Sequence, residues 1–277
     1  MLSKSPIKAF AKVGAGQGAP QKETDFTNEG YPFIRAGHLE DLLGGKDEMD
    51  LPKVNSKIAS IYRLKLYQPN TIIFAKSGMS AMKGRIYKLR NPCYVVNHLA
   101  TLELSEKAFP DFVVYTLRHF SPVRLINDSS YPSLKQSTID GYEIPFPKEI
   151  SYQIRIAEIL NKSENLISQR KESIRLLDEF LKSTFLEMFG DPSTNKRSFP
   201  CGTIRDVAKE VKYGTSSPAE EEGGYPYLRM NNITSSGYMD YSKLKYINVD
   251  TKDKEKYSVM KGDLLFNRTN SKDLVGK

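Results

Sequence analysis

Tyr31-Pro32-Phe33-Ile34-Arg35 returns 194 positions later as Tyr225-Pro226-Tyr227-Leu228-Arg229. Upstream, Val13-Gly14-Ala15-Gly16-Gln17-Gly18-Ala19-Pro20 is echoed by Val211-Lys212-Tyr213-Gly214-Thr215-Ser216-Ser217-Pro218 at an offset of 198. Downstream, Thr71-Ile72-Ile73-Phe74-Ala75-Lys76 pairs with Asp263-Leu264-Leu265-Phe266-Asn267-Arg268, and Gly84 with Gly276, both at 192. Four blocks in the same order, with an offset that drifts only slightly, describe one fold used twice with small loop insertions and deletions. The sequence reaches Lys277 at a point where the first copy is still far from its own end, so a fragment, or a naturally shortened form, of a two-domain protein is expected.

Between the copies lies a segment of another kind. From 151 to 188 there is no Pro or Gly, and Glu, Lys, Leu, Ile, Arg and Gln dominate. Leu160, Ile167, Ile174, Leu181 and Met188 recur at every seventh position, flanked by Ile156, Ile159, Leu166, Leu177 and Phe180. A sustained heptad repeat keeps an apolar stripe on one side of a helix, which is the requirement of a coiled coil. Such a helix needs a partner helix; the alternative is a lone helix packed on its own domain. Gly190 supplies a left-handed C-cap, and Asp191-Pro192 prevents continuation.

The flanking segments read as mixed α/β with many strands. Runs at 58–66, 71–75, 85–89 and 94–96 are β-branched or aromatic and are punctuated by Pro69-Asn70, Ser77-Gly78 and Asn91-Pro92. Residues 110–120 have the pattern of a short amphipathic helix, and Pro145 and Pro147 close the segment. The expected class is therefore α+β, divided as 1–150, 151–189 and 190–277.

Thirty-nine percent apolar and ten percent aromatic residues suffice for a packed core. No segment approaches a membrane span and the start of the chain has no basic-then-apolar signal pattern, so a cytoplasmic location and no membrane partner are expected. Cys93 and Cys201 lie far apart without metal-ligand spacing and read as unpaired thiols. The net charge of +8 is unevenly placed. Segment 151–189 carries six basic and six acidic residues, 1–150 carries 20 against 15, and 190–277 carries 15 against 12. Between Asp50 and Glu103 there is no acid at all but nine basic residues: Lys53, Lys57, Arg63, Lys65, Lys76, Lys83, Arg85, Lys88 and Arg90. A positive surface of that extent attracts phosphates at long range, so nucleic acid is the leading partner; a surface that merely aids solubility is the alternative.

Catalytic patterns are missing. His38, His98 and His119 have no metal-ligand spacing, and there is no P-loop, G-x-S-x-G or C-x-x-C. The run Gly14-Ala15-Gly16-Gln17-Gly18 lacks the dinucleotide-binding spacing and reads as a turn. Asn97-His98-Leu99-Ala100 lacks the Pro-Pro-aromatic context of base methylation. What remains is a binding kit placed twice. Phe74-Ala75-Lys76-Ser77-Gly78 and Phe266-Asn267-Arg268-Thr269-Asn270 each end a strand with a cation followed by a small hydroxyl residue, suited to phosphate and base-edge contact. Arg35, His38, Lys83, Arg85 and Arg229 complete the candidate DNA-binding set. Arg35 and Arg229, identical in the two copies, fit either a backbone contact or an internal salt bridge.

These residues resemble the specificity subunits of type I restriction-modification enzymes. The junction Ile144-Pro145-Phe146-Pro147 with Gln153-Ile154-Arg155-Ile156-Ala157-Glu158-Ile159-Leu160 is similar to that family's proline-rich domain-to-helix junction. Met188-Phe189-Gly190-Asp191-Pro192 resembles its helix exit, and Lys261-Gly262-Asp263-Leu264-Leu265-Phe266 a turn-strand element of its recognition domains. The resemblance implies a target-recognition domain, a long coiled-coil-forming spacer helix, and the start of a second, similar domain, with the second conserved helix missing. It implies a non-catalytic reader of double-stranded DNA that serves as a platform for DNA methyltransferase (modification) subunits and, indirectly, for the restriction subunit. S-adenosylmethionine and ATP would belong to those partners, with no cofactor on this chain. A homodimer through the long helix is expected of the shortened chain. The alternative is a free-standing dimeric regulator or architectural DNA binder.

Overall fold

A computed structural model describes residues 4–269 and Ser271. Gly276 and Asn270, which the repeat and the second binding tip invoke, lie outside the described residues. The chain divides into two units, 1–185 and 186–277, and is α+β as the sequence predicts.

In the first unit the strands are β1 (Lys4–Pro6), β2 (Ala11–Ala15), β3 (Tyr31–Ile34), β4 (Lys53–Val54), β5 (Ile72–Ala75), β6 (Ile86–Lys88), β7 (Tyr94–Val95), β8 (Leu99–Leu104) and β9 (Glu143–Pro145). The helices are α1 (His38–Leu43), α2 (Ser56–Ile61), α3 (Pro110–His119), α4 (Gln136–Asp140) and the start of α5 (Ile150–Phe189). An antiparallel sheet of order β2-β8-β5-β6 is central. Side chains alternate across a strand, so β5 sends Ile72 and Phe74 into one core and Ile73 and Ala75 into another. The first core lies against α3 and contains Phe112, Val113 and Leu117; the second lies against the β4-β3-β7 sheet and α1 and contains Phe33, Ile34, Leu39 and Leu42. Burial on both faces explains why 71–75 reads as an unbroken apolar run.

Two expectations fail here. Segment 58–66 is not a strand: α2 starts at Ser56 because the Asn55 side chain accepts the Ile58 N–H at 3.0 Å, and the chain then turns at Arg63 with φ +51°. The N-cap outweighs the β-branched content. The glycine run is not a turn either. Gly14 and Ala15 belong to β2, which pairs with β8, and Gly16 donates to the Leu99 carbonyl at 3.1 Å. A Cβ on Gly16 would collide with the Val95 carbonyl, so glycine serves the close approach of two backbones.

Helix α5 has 40 residues, roughly 60 Å at about 1.5 Å per residue. Its first turns are anchored on the domain. Gln153 is fully buried; its Nε2 donates to the carbonyls of Lys107 and Pro147 at 2.9 and 2.8 Å, and its Oε1 accepts from the Phe109 N–H at 2.8 Å. Ala157 is buried in the first core. The Tyr115 hydroxyl reaches Asn161 and Glu164, and Arg118 pairs with Glu164 at 2.9 Å. From Lys162 to Ser183 every residue is exposed. The heptad positions Ile167, Ile174 and Leu181 stand 57, 61 and 62% exposed, with Leu160 at 37% and Met188 at 57%.

The second unit contains α6 (Ile204–Val207), β10 (Tyr225–Tyr227), β11 (Lys245–Ile247) and α7 (Thr251–Tyr257). Gly190 has φ +72°, the left-handed cap its position predicts. The repeat is visible in local structure. β3 pairs antiparallel with β4, Tyr31 opposite Val54, and α2 follows; β10 pairs antiparallel with β11, Tyr225 opposite Ile247, and α7 follows. The Thr27 N–H donates to the Lys53 carbonyl, and that of Glu220 to the Tyr246 carbonyl, both at 2.9 Å. The counterpart of β5 differs: 263–268 forms no strand, and Leu264 is 91% exposed. Among the described residues this unit buries only Asn232, Ile233, Ile247 and Asn267.

Gln153→Ala should unfold the first unit at a lower urea midpoint, by on the order of 3–5 kcal/mol, because it leaves a buried N–H and two carbonyls unpaired and opens a cavity. A midpoint within error of the unaltered chain would show that this amide does not hold the helix to its domain.

Candidate nucleic-acid interface

The antiparallel register of β5 and β8 sets Ala75 opposite Leu99, so the exit of one strand and the entry of the other lie at the same end of the sheet. The exit is Lys76-Ser77-Gly78; the entry is the turn Val96-Asn97-His98-Leu99, closed by the Leu99 N–H on the Val96 carbonyl at 3.0 Å. Lys76 donates its N–H to the His98 carbonyl at 2.9 Å, and the Ser77 hydroxyl meets His98 Nδ1 at 2.8 Å. Segment 127–134 closes the edge: Leu134 N–H donates to the Lys76 carbonyl at 2.7 Å, and Gly78 N–H to that of Pro132 at 2.9 Å. Gly78 has φ +72°, and the turn that follows it, Met79–Lys83, leaves Met79 67% exposed. Tyr131 is 83% exposed on the neighbouring loop. A lysine, a hydroxyl, an imidazole, an amide and an exposed aromatic thus crowd one end of the sheet, a set of phosphate, base-edge and stacking groups. Asn97, His98 and Tyr131 are absent from the set derived by sequence. The register that joins residue 77 to residue 98 is the signal that would have found them, and it is legible only once the strands are paired.

The basic window is less positive in space than in sequence. Acids outside it reach in: Lys65 pairs with Glu103, Lys88 with Asp111, Arg85 with Glu40 at 2.6 Å, and Lys83 with the same Glu40 at 3.9 Å. Lys53, Lys57, Arg63, Lys76 and Arg90 have no ion pair among the described residues. Lys76 is the one of these beside the sheet-end cluster. Lys83 and Arg85 share one carboxylate, so together with Glu40 they carry a single net positive charge.

The other predicted residues lie elsewhere. Arg35 and His38 border a shallow groove with Lys22 and Glu23. The Arg35 guanidinium lies 5.0 Å above the Phe26 ring, and the Arg35 N–H donates to His38 Nδ1 at 3.2 Å. Burial, first, and the Arg35 and Lys46 charges, second, hold the His38 pKa below its ordinary value, so the ring is a neutral acceptor. Arg229 repeats this corner, its N–H donating to the Asn232 side chain at 3.0 Å and its Nη2 to the Lys243 carbonyl at 3.3 Å. Neither arginine forms a salt bridge among the described residues; the two copies share a capped strand end. Asn267 does not present its amide. It is 3% exposed, with Nδ2 unpartnered among the described residues, because the chain turns this side chain inward after the exposed 264–266 stretch. Arg268 remains exposed, 4.5 Å above the Tyr213 ring. Among the described residues no helix is long and apolar enough to cross a membrane, and no group of acids, histidines and cysteines is placed to hold a metal ion. Both cysteines are free, Cys93 buried and Cys201 exposed.

Comparison with known proteins gives a consistent set of matches. The family model described as type I restriction modification DNA specificity domain matches residues 3–176. The MjaIX type I restriction enzyme specificity subunit of Methanocaldococcus jannaschii is 30% identical over 164 residues, covering 58% of this chain and 37% of that protein. The putative MjaX specificity subunit of the same organism is 32% identical over 76 residues, 27% of this chain and 18% of that protein. This chain therefore spans well under half the length of those relatives. Among solved structures, the HsdS subunit from Thermoanaerobacter tengcongensis aligns at 16% identity with a TM-score of 0.47, over 62% of this chain and 39% of that one.

Charge placement predicts opposite effects at two positions. Lys76→Ala should weaken duplex DNA binding and reduce the salt-dependence slope by about one unit. Glu40→Gln should strengthen binding and steepen the slope, because Lys83 and Arg85 lose their shared acid. Fluorescence-anisotropy titrations between low and moderate salt check both; an unchanged slope in both variants would remove this face from the interface.

Proposed function

The chain belongs to the family of type I restriction-modification DNA specificity domains, and on that footing we propose that it is the sequence-reading subunit of such a system. Its first unit reads one half of a bipartite target in double-stranded DNA through the end of the β2-β8-β5-β6 sheet. Helix α5 acts as the spacer and as part of the platform on which DNA methyltransferase subunits dock, with the restriction subunit joining through them. The chain itself is non-catalytic and works in the cytoplasm, while S-adenosylmethionine and ATP are handled by the partners. The observation that carries this reading is the span of the family match. It covers the unit holding Lys76, Ser77 and His98 and runs into α5 as far as residue 176.

The bare heptad face of α5 supports pairing with another helix. Exposed together, Leu160, Ile167, Ile174 and Leu181 make an apolar patch larger than a soluble monomer usually leaves in water. Antiparallel pairing of two copies buries the same stripe on each and gives two-fold symmetry, so that such a dimer reads a palindromic version of one half-site.

Methylome sequencing of cells supplying the partner methyltransferase tests the division of labour. Replacing residues 76–85 with the corresponding segment of another family member should change the methylated half-site, whereas Ile167→Glu with Ile174→Glu should leave the bases unchanged. The same helix variant should convert dimer to monomer in sedimentation at micromolar concentration, since each carboxylate would face an apolar partner. A half-site altered by the helix variant, or unaltered by the loop exchange, would overturn the assignment.

A further inference from the structure

Ser77 is held on three sides. The residue before it, Lys76, is fixed through its N–H by the His98 carbonyl and through its carbonyl by the Leu134 N–H, the peptide after Ser77 by the Pro132 carbonyl, and its hydroxyl by His98 Nδ1. A free serine hydroxyl rotates and donates or accepts as its partner requires, so alone it distinguishes bases poorly. Bonded to an imidazole, its donor or acceptor role is tied to which ring nitrogen carries the proton. The ring is exposed, and its Nε2 has no hydrogen-bond partner among the described residues.

We propose that His98 and Ser77 form a single reading unit that contacts the major-groove edge of adenine, a step that rests on the recognition reading above. The argument follows from proton counting. If the hydroxyl donates to Nδ1, the imidazole proton is on Nε2, and the pair shows an acceptor at Ser77 Oγ and a donor at His98 Nε2. If Nδ1 carries the proton instead, the hydroxyl accepts it and turns its own hydrogen outward while Nε2 becomes the acceptor. Either way a neutral pair shows one donor and one acceptor. Adenine is the base whose major-groove edge offers one acceptor, N7, beside one donor, the N6 amine; guanine offers two acceptors, cytosine a donor, and thymine an acceptor beside a methyl group. Lys76, next along the backbone and without an ion pair among the described residues, supplies the phosphate contact that brings this edge into reach.

Selection from a randomised duplex library with the purified chain, followed by sequencing of the bound pool, tests the proposal. The unaltered chain should enrich adenine at one position. Ser77→Ala and His98→Leu should each reduce that preference about ten-fold at that position alone, and the double variant should lose no more than either. His98→Asn, whose amide keeps a polar atom near the Nδ1 position but has none at the Nε2 position, should recover only part of the preference. The salt dependence of binding should be the same in all four, because the phosphate contacts are untouched, which separates base reading from damage to the domain. Ser77→Ala, a small change at a half-buried position, carries the test if His98→Leu fails to fold. A motif that keeps full adenine preference in His98→Leu and Ser77→Ala, or that loses a different base, overturns the pair and leaves the recognition reading standing. A library from which the unaltered chain enriches no motif overturns both.

Discussion

One buried amide decides how the rest of the molecule is used. Gln153 sits in the first turns of α5, yet all three of its hydrogen bonds go to backbone groups outside the helix: the carbonyls of Lys107 and Pro147 and the N–H of Phe109. Unpaired polar groups at zero exposure are costly, so this geometry admits little variation. It fixes the departure of the helix relative to α3, whose first turn begins beside Phe109. Tyr115 and Arg118 on α3 then extend the attachment through Asn161 and Glu164. A helix that leaves its domain after a few turns keeps a fixed direction only if its root is rigid. That rigidity is a polar clamp supported by the apolar burial of Ala157.

The domain itself depends on a sheet that is covered twice. Ile72 and Phe74 face one core and Ile73 and Ala75 the other, so β5 anchors both layers and its exit is placed by packing on both sides. The same exit carries Lys76 and Ser77. Rigid strands deliver the side chains, while the Gly78 bend and the Pro132 contact shape the loops around them.

The sequence made the α+β class and the long helix legible. The heptad of Leu160, Ile167, Ile174 and Leu181 marks α5 because a repeat of that period has no other simple origin. The unbroken apolar run at 71–75 marks a strand covered on both faces. The repeat is reproduced by β3-β4-α2 and β10-β11-α7, down to the capped N–H groups of Arg35 and Arg229. Readings failed where one residue type serves two geometries. Gly14 and Gly16 could have signalled a turn or a close backbone approach, and pairing with β8 decided it. Ile58 and Ile61 suit a strand, but Asn55 starts a helix. The site was legible only in part. Lys76 and Ser77 stand out by pattern, but His98 joins them through the pairing of two strands distant in sequence, and Glu40 neutralises Lys83 and Arg85 from across the fold. Segment 263–268 has the composition of β5 but lacks a paired neighbour among the described residues, and composition alone does not make a strand.

The pairing of β1 with β9, Ser5 opposite Ile144, ties the first strand of the domain to its last. Synthesis from the N-terminus therefore leaves β1 without its partner until Pro145 has been made, an interval on the order of ten seconds at ordinary rates of translation. Throughout that interval Ile7 and Phe10, which end up fully buried, have no finished core to enter. When β9 arrives, Gln153 follows closely, and closure of the domain and seating of the helix root become nearly one event. The long apolar face of α5 thus emerges behind a domain that is already closing. In the order of synthesis, the apolar face of α5 follows the domain that anchors its root.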